Sequence, residues 1–203
     1  MFTSIRPRKT KARGPSSPRR HIPRQRWIRN LMAEPLESRR VLSGVTLITH
    51  GFNSSVDGWV TAMAEAVGQR PDVPIDLSIH RIDVTDPGHD GGPLSVSSSW
   101  LSGLSPSDTG TQFPEIALVL DWSDVAGDLG ANYTRSTYDV AAAVANSLVT
   151  PDFLTGLGQP LASLPFHVLG HSRGASLVGE LAYQLGEHGI WVDQVTTLDP
   201  HPV

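Results

Sequence analysis

Val168-Leu169-Gly170-His171-Ser172-Arg173-Gly174-Ala175 is the stretch on which the reading of this chain turns. Phe166, Val168 and Leu169 ahead of it describe a short buried strand. Ala175, Leu177, Val178, Leu181, Ala182 and Leu185 behind it recur at helical spacing. Between them stands Gly-x-Ser-x-Gly, so the order is strand, sharp turn, helix. A turn that tight tolerates almost no side chain at its flanks, which is the physical reason for Gly170 and Gly174. Ser172 then stands at the tip, beside the positive end of the following helix. A bare Gly-x-Ser-x-Gly arises by chance in roughly 5 to 10% of chains of this length. The flanking strand and helix are what make it specific.

The same alternation extends outward. Val45-Thr46-Leu47-Ile48-Thr49 is a β-branched run of strand length that ends at His50-Gly51-Phe52. Asn53, Ser54 or Ser55 is then placed to cap a helix whose apolar face carries Val56, Trp59, Val60, Met63, Ala64 and Val67. A second strand is predicted over Leu77 to Val84, with Leu77, Ile79 and Arg81 on one side. Ile116 to Trp122 is apolar without alternation, as expected of a parallel strand covered on both faces. An alanine-rich helix follows over Tyr138 to Val149, then a linker over 151–165. After the elbow helix, Ile190 to Leu198 forms a last strand that closes on Asp199-Pro200. Strands alternating with helices argue for an α/β fold, an open and mostly parallel sheet with crossover helices on its faces. Residues 85–115, rich in Gly, Pro, Ser and Asp, read as a long connection: an access loop or lid, or a surface insertion, with Trp100, Leu101 and Leu104 as its apolar residues.

Charge divides the chain in two. Twelve of its 16 Lys and Arg residues fall in 1–40 beside only Glu34 and Glu37, so this leader carries +10 and the remaining 163 residues −14, for a net charge of −4. With five prolines scattered through it, residues 1–40 are expected to form a disordered basic leader and 41–203 the folded domain. A secretory signal needs an apolar core after its basic region, and none precedes Val41. Ala33-Glu34-Pro35-Leu36-Glu37-Ser38-Arg39-Arg40-Val41-Leu42-Ser43 resembles the LEPR-XLL motif of large exported or surface-associated bacterial proteins, with Ser38 where the motif has Pro and Val41 where it has Leu. That resemblance implies an exported or envelope-associated protein. An inert leader or a nucleic-acid-binding arm are the alternatives. No apolar run is long enough to cross a bilayer, and the absence of cysteine excludes disulfides and thiolate metal sites.

Acyl transfer at a serine needs an activated hydroxyl, donors aimed at the oxyanion, and a base held by an acid. In a parallel sheet all of these emerge at the C-terminal ends of strands. Ser172 follows one such strand as candidate nucleophile. The backbone N–H groups of Phe52 and Arg173 are candidates for the oxyanion hole. Asp199 ends a third strand, either orienting a histidine or capping the turn that Pro200 closes. His50 reads as a ring packed under its loop. His80, His89, Asp83, Asp86 and Asp90 cluster in sequence, but their spacing matches no metal-ligand pattern, so neither metal nor cofactor is expected.

Leu47-Ile48-Thr49-His50-Gly51-Phe52 ahead of Trp59, Val119-Leu120-Asp121-Trp122 with Tyr133-Thr134, Gly170-His171-Ser172-Arg173-Gly174-Ala175, and Thr197-Leu198-Asp199-Pro200 together resemble the ordered motifs of the pancreatic-lipase-like branch of the α/β-hydrolase superfamily. The resemblance spans about residues 45–203. It implies carboxylic ester hydrolysis of a small-molecule ester or lipid, with Ser172 as nucleophile, Asp199 as triad acid, and the amides of Phe52 and Arg173 as oxyanion hole. Arg173 stands where Leu is common in lipases, near the expected acyl crevice. In that family the catalytic histidine follows a later strand, tens of residues beyond the acid, so the fold is expected to be incomplete at its C-terminus. His201, two residues past Asp199, has little freedom to bridge to Ser172, and His167, His171 and His188 are no better placed. The competing expectation is a non-catalytic, exported or surface-associated module that keeps the α/β core.

Overall fold

A computed structural model of the chain describes residues 44–69, 76–105, 114–127 and 134–201. The basic leader and its LEPR-XLL-like motif lie outside these residues. Six strands form one sheet: β1 (Val45–Thr49), β2 (Leu77–Thr85), β3 (Ser95–Gly103), β4 (Glu115–Asp121), β5 (Phe166–His171) and β6 (Gln194–Leu198). Their order across the sheet is β3-β2-β4-β1-β5-β6. All neighbours pair in parallel except β3, which runs antiparallel to β2 at one edge. The fold class is therefore α/β, an open and mostly parallel sheet with helices.

The central strands β1 and β4 are buried on both faces, and the alternation of their side chains shows how. Along β4, Ile116, Leu118 and Leu120 enter the larger of two cores, while Ala117 and Val119 enter the smaller. Leu47 and Ile48 of β1 divide in the same way. The larger core is closed by α3 (Thr137–Leu148) and α4 (Arg173–Glu187), which supply Val140, Val144, Leu148, Leu177, Leu181 and Leu185. The smaller is closed by α1 (Trp59–Val67) through Val60 and Ala64. At about 25 cal/mol per Å² of apolar surface, such fully covered strands are where hydrophobic stabilisation concentrates. At their starting ends β1 and β4 are clipped together: Gly44 N–H donates to Glu115 Oε2 at 3.1 Å.

Three expectations change. Residues 85–115 are not one long connection, because Ser95–Gly103 form a nine-residue strand against β2. Helix α1 begins at Trp59 behind Gly58, whose φ is 87°, rather than at Asn53, Ser54 or Ser55. The backbone in between is held elsewhere, with Asn53 N–H donating to Gly127 O at 3.0 Å. Strand β6 starts at Gln194 instead of Ile190, since Asp193 ends the approach by accepting from Phe166 N–H at 2.7 Å. Ser136 caps α3 as a serine should, its Oγ accepting from Asp139 N–H at 3.0 Å. Between β4 and α3 lies one short helical turn, α2 (Ser123–Ala126).

Candidate functional site at the elbow

Ser172 sits between the end of β5 and the start of α4 with φ 55° and ψ −124°, a conformation that L-residues avoid. The two glycines around it are required by contact. A Cβ on Gly170 would lie 2.1 Å from Gly174 O, and one on Gly174 would lie 2.2 Å from His50 O. Gly51 closes the set, since its Cβ would stand 2.8 Å from Ser172 Cβ and 3.2 Å from Arg173 N. The loop after β1 and the elbow after β5 are thus in backbone contact. Glycine at three places lets them approach.

That contact brings the amides of Phe52 and Arg173 to the same end of the sheet as Ser172. Arg173 is the first residue of α4, so its N–H has no carbonyl partner within the helix. No described residue accepts from Phe52 N–H, and none bonds Ser172 Oγ. Asp199 arrives at the same end from β6. Leu198 O accepts from Ser172 N–H at 2.9 Å, and His201 N–H donates to Ser172 O at 3.3 Å, so the residues flanking Asp199 are bonded to the elbow itself. Asp199 is exposed and has a φ of 44°. Ser176 Oγ adds a bond to His201 O at 2.9 Å. A shallow cleft of ≈ 240 Å³, lined by Trp59, His171 and Leu198, opens alongside.

The histidines are disposed as follows. His50 is fully buried beneath its loop, with Nδ1 2.8 Å from Gly51 O and Nε2 3.3 Å from Asp121 Oδ1, and its ring stacks on Trp122. His171 turns from the elbow and meets the Trp59 ring edge-on at 5.8 Å. His167 Nε2 lies 3.0 Å from Thr196 Oγ1, and burial pushes its pKa down. His188 caps the far end of α4.

Two features were not foreseen. Asp121, at the end of β4, accepts from Ser123 N–H at 2.9 Å and from Arg81 Nη2 at 2.6 Å, besides facing His50. Burial alone would raise its pKa, but His50, Ser123 and Arg81 together hold the carboxyl well below the usual carboxylate range. This network fixes His50, and through Gly51 it fixes the loop that carries Phe52. The Arg173 side chain lies across the Trp122 ring, 5.2 Å from its centre. Its guanidinium donates to Ala126 O, to Thr134 Oγ1 at 2.7 Å and to Arg135 O at 2.7 Å, tying the elbow to the segment after β4.

The acidic and histidine residues over 80–90 do not converge. His80 bonds Ser78 Oγ, Asp83 pairs with Arg81, Asp86 with Arg135, and His89 with Asp124, while Asp90 accepts from Gly92 N–H. Among the described residues no group of three or more metal-ligating side chains is placed to hold an ion, and no helix is long and apolar enough to cross a membrane.

What the fold and site define is therefore an α/β sheet carrying a strained serine on a strand-to-helix elbow, beside two amides that no described residue accepts from. Compared with protein-family models, with curated proteins and with solved structures, the chain matches none.

Proposed function

We propose that this chain is a serine hydrolase module of the α/β-hydrolase type acting on carboxylic esters. The observation that carries the reading is the backbone of Ser172, held at φ 55° and ψ −124° against Gly51. Strain of this kind persists where the surrounding structure over-determines it, and it is characteristic of an elbow that presents a nucleophile. In this reading Ser172 Oγ attacks the ester carbonyl carbon, and its proton passes to an imidazole base. The amides of Phe52 and Arg173 receive the oxyanion, each worth about 3 to 4 kcal/mol of barrier when such a donor is removed. Collapse of the tetrahedral intermediate expels the alcohol, which takes the proton, and water then releases the acid from Ser172. Asp199 orients the base. His50, His167 and His171 are engaged elsewhere and do not fill that role. By the same reading the LEPR-XLL-like leader directs the protein to the cell envelope.

One observation favours the rival reading, a non-catalytic module on the same core: no described residue bonds Ser172 Oγ, so nothing described activates it. A fluorophosphonate probe separates the two. The enzyme reading expects covalent labelling that Ser172→Ala abolishes, together with hydrolysis of p-nitrophenyl acetate. A folded sample that takes up no probe overturns it in favour of the non-catalytic module.

A further inference from the structure

A second cavity, of ≈ 320 Å³, lies at the β3 edge of the sheet, where β4 and β1 separate β2 from the elbow strand β5. Its wall is built by an irregularity in strand pairing. Ile79 faces Ser102 while the next residue, His80, faces Trp100, so Leu101 is the extra residue of a β-bulge. Bulges re-aim side chains, and here the bulge sets Trp100, 53% exposed, opposite a buried imidazole. Ser98 and Ser99 continue the wall, Thr155 stands across from them, and Leu154, 2% exposed, gives an apolar surface.

The chemistry of these groups defines what fits. None of the described lining residues carries a carboxylate or a permanent cation. His80 is 4% exposed, and burial lowers its pKa to about 4, so near neutral pH it is an uncharged ring. Its Nε2 is 2.9 Å from Ser78 Oγ, and no described residue bonds its Nδ1. Ser98 Oγ donates to Phe153 O at 2.8 Å, which leaves its oxygen to accept from a guest. A charged ligand would meet no counter-charge from the described lining residues. A purely apolar one would strand the His80 and Ser98 polar atoms without partners. The guest must offer a flat, weakly polarised C–H face to the indole and hydroxyls to the rim. The volume, at the low end of ligand sites (~300–1,000 Å³), limits it to about one ring.

We propose that this cavity binds one ring of an uncharged carbohydrate, stacked on Trp100 and hydrogen-bonded by His80 and Ser98. The site is independent of the ester-hydrolase reading. Saturation-transfer NMR on the full chain with methyl β-glucoside, methyl β-galactoside and N-acetylglucosamine tests it, with cyclohexanol as a ring that lacks the extra hydroxyls. The expected result is saturable binding of at least one sugar, weakened about tenfold or more by Trp100→Ala, kept by Trp100→Phe, and absent for cyclohexanol. Trp100 is exposed on an edge strand, so its substitution is compatible with folding, which circular dichroism verifies. Three outcomes would each overturn the proposal: no saturable signal from any of the sugars, binding indifferent to Trp100→Ala in a folded variant, or cyclohexanol binding as well as the sugars.

Discussion

Replacing Ser172 with glycine should make the protein more stable than replacing it with alanine, although glycine is the more flexible residue. Both variants lose the hydroxyl, and since no described residue bonds Ser172 Oγ, that loss contributes little to either. They differ in the Cβ. At φ 55° and ψ −124° an L-residue bears about 1 to 3 kcal/mol of backbone strain, which alanine keeps and glycine escapes. Against this, glycine in the unfolded chain costs about 0.4 to 1 kcal/mol of extra entropy. The difference leaves Ser172→Gly ahead by about 1 kcal/mol, or roughly 2 to 4 °C in Tm for a domain of this size. Differential scanning calorimetry and urea unfolding of the two variants side by side measure it. Equal stability, or an advantage for alanine, would falsify the claim that the elbow stores strain at this residue.

Three other outcomes follow from the same contacts. Gly174→Ala drives a Cβ to 2.2 Å from His50 O, a backbone atom that cannot swing aside, so a loss of about 3 kcal/mol is expected in urea unfolding; wild-type stability would mean the two loops are not in contact. Arg173→Met removes three hydrogen bonds and the contact over Trp122, costing about 1 to 2 kcal/mol and speeding amide exchange at Arg135, whose N–H donates to Val125 O at 2.9 Å; exchange unchanged at that amide would show that Arg173 does not hold the segment. His80 is neutral in the fold with a pKa near 4, whereas the unfolded chain takes up a proton below about 6.5. The stability it supports is complete above pH 6.5 and is lost as pH falls toward 4, by about 3 kcal/mol in all. The slope of Tm against pH between 6.5 and 4 should therefore be shallower in His80→Gln, and identical slopes would contradict a buried neutral imidazole.

Much of this site is legible in the sequence, because its geometry is enforced locally. Gly170 and Gly174 flank a turn with no room for a Cβ, and the contacts at 2.1 and 2.2 Å are that steric demand made explicit. Strand β4 was legible because a strand covered on both faces is apolar along its interior, Ile116 to Leu120, with its polar residues Glu115 and Asp121 only at the ends. Strand β3 was not. Its serines give no apolar alternation, and an edge strand exposed along most of its length needs none. The buried network under the first loop was hidden for a different reason. The parallel register sets Asp83 beside Asp121, and Arg81 reaches both carboxylates, but register between residues some forty positions apart is a property of the assembled sheet. Arg173 shows the same limit: its identity was visible, while its three oxygen partners lie 38 to 47 positions away along the chain.

The place of β1 in the sheet has a consequence for biosynthesis. Val45 has Ile116 as its neighbour on one side and Phe166 on the other. A nascent chain leaving the ribosome therefore exposes Val45–Thr49 with neither partner yet made, and the second arrives about 120 residues later. At about 5 to 20 residues per second, that is a wait of roughly 6 to 25 s for an apolar segment able to pair with any passing edge. The strand at the centre of the finished sheet is the one most exposed to misassociation while the polypeptide is being synthesised.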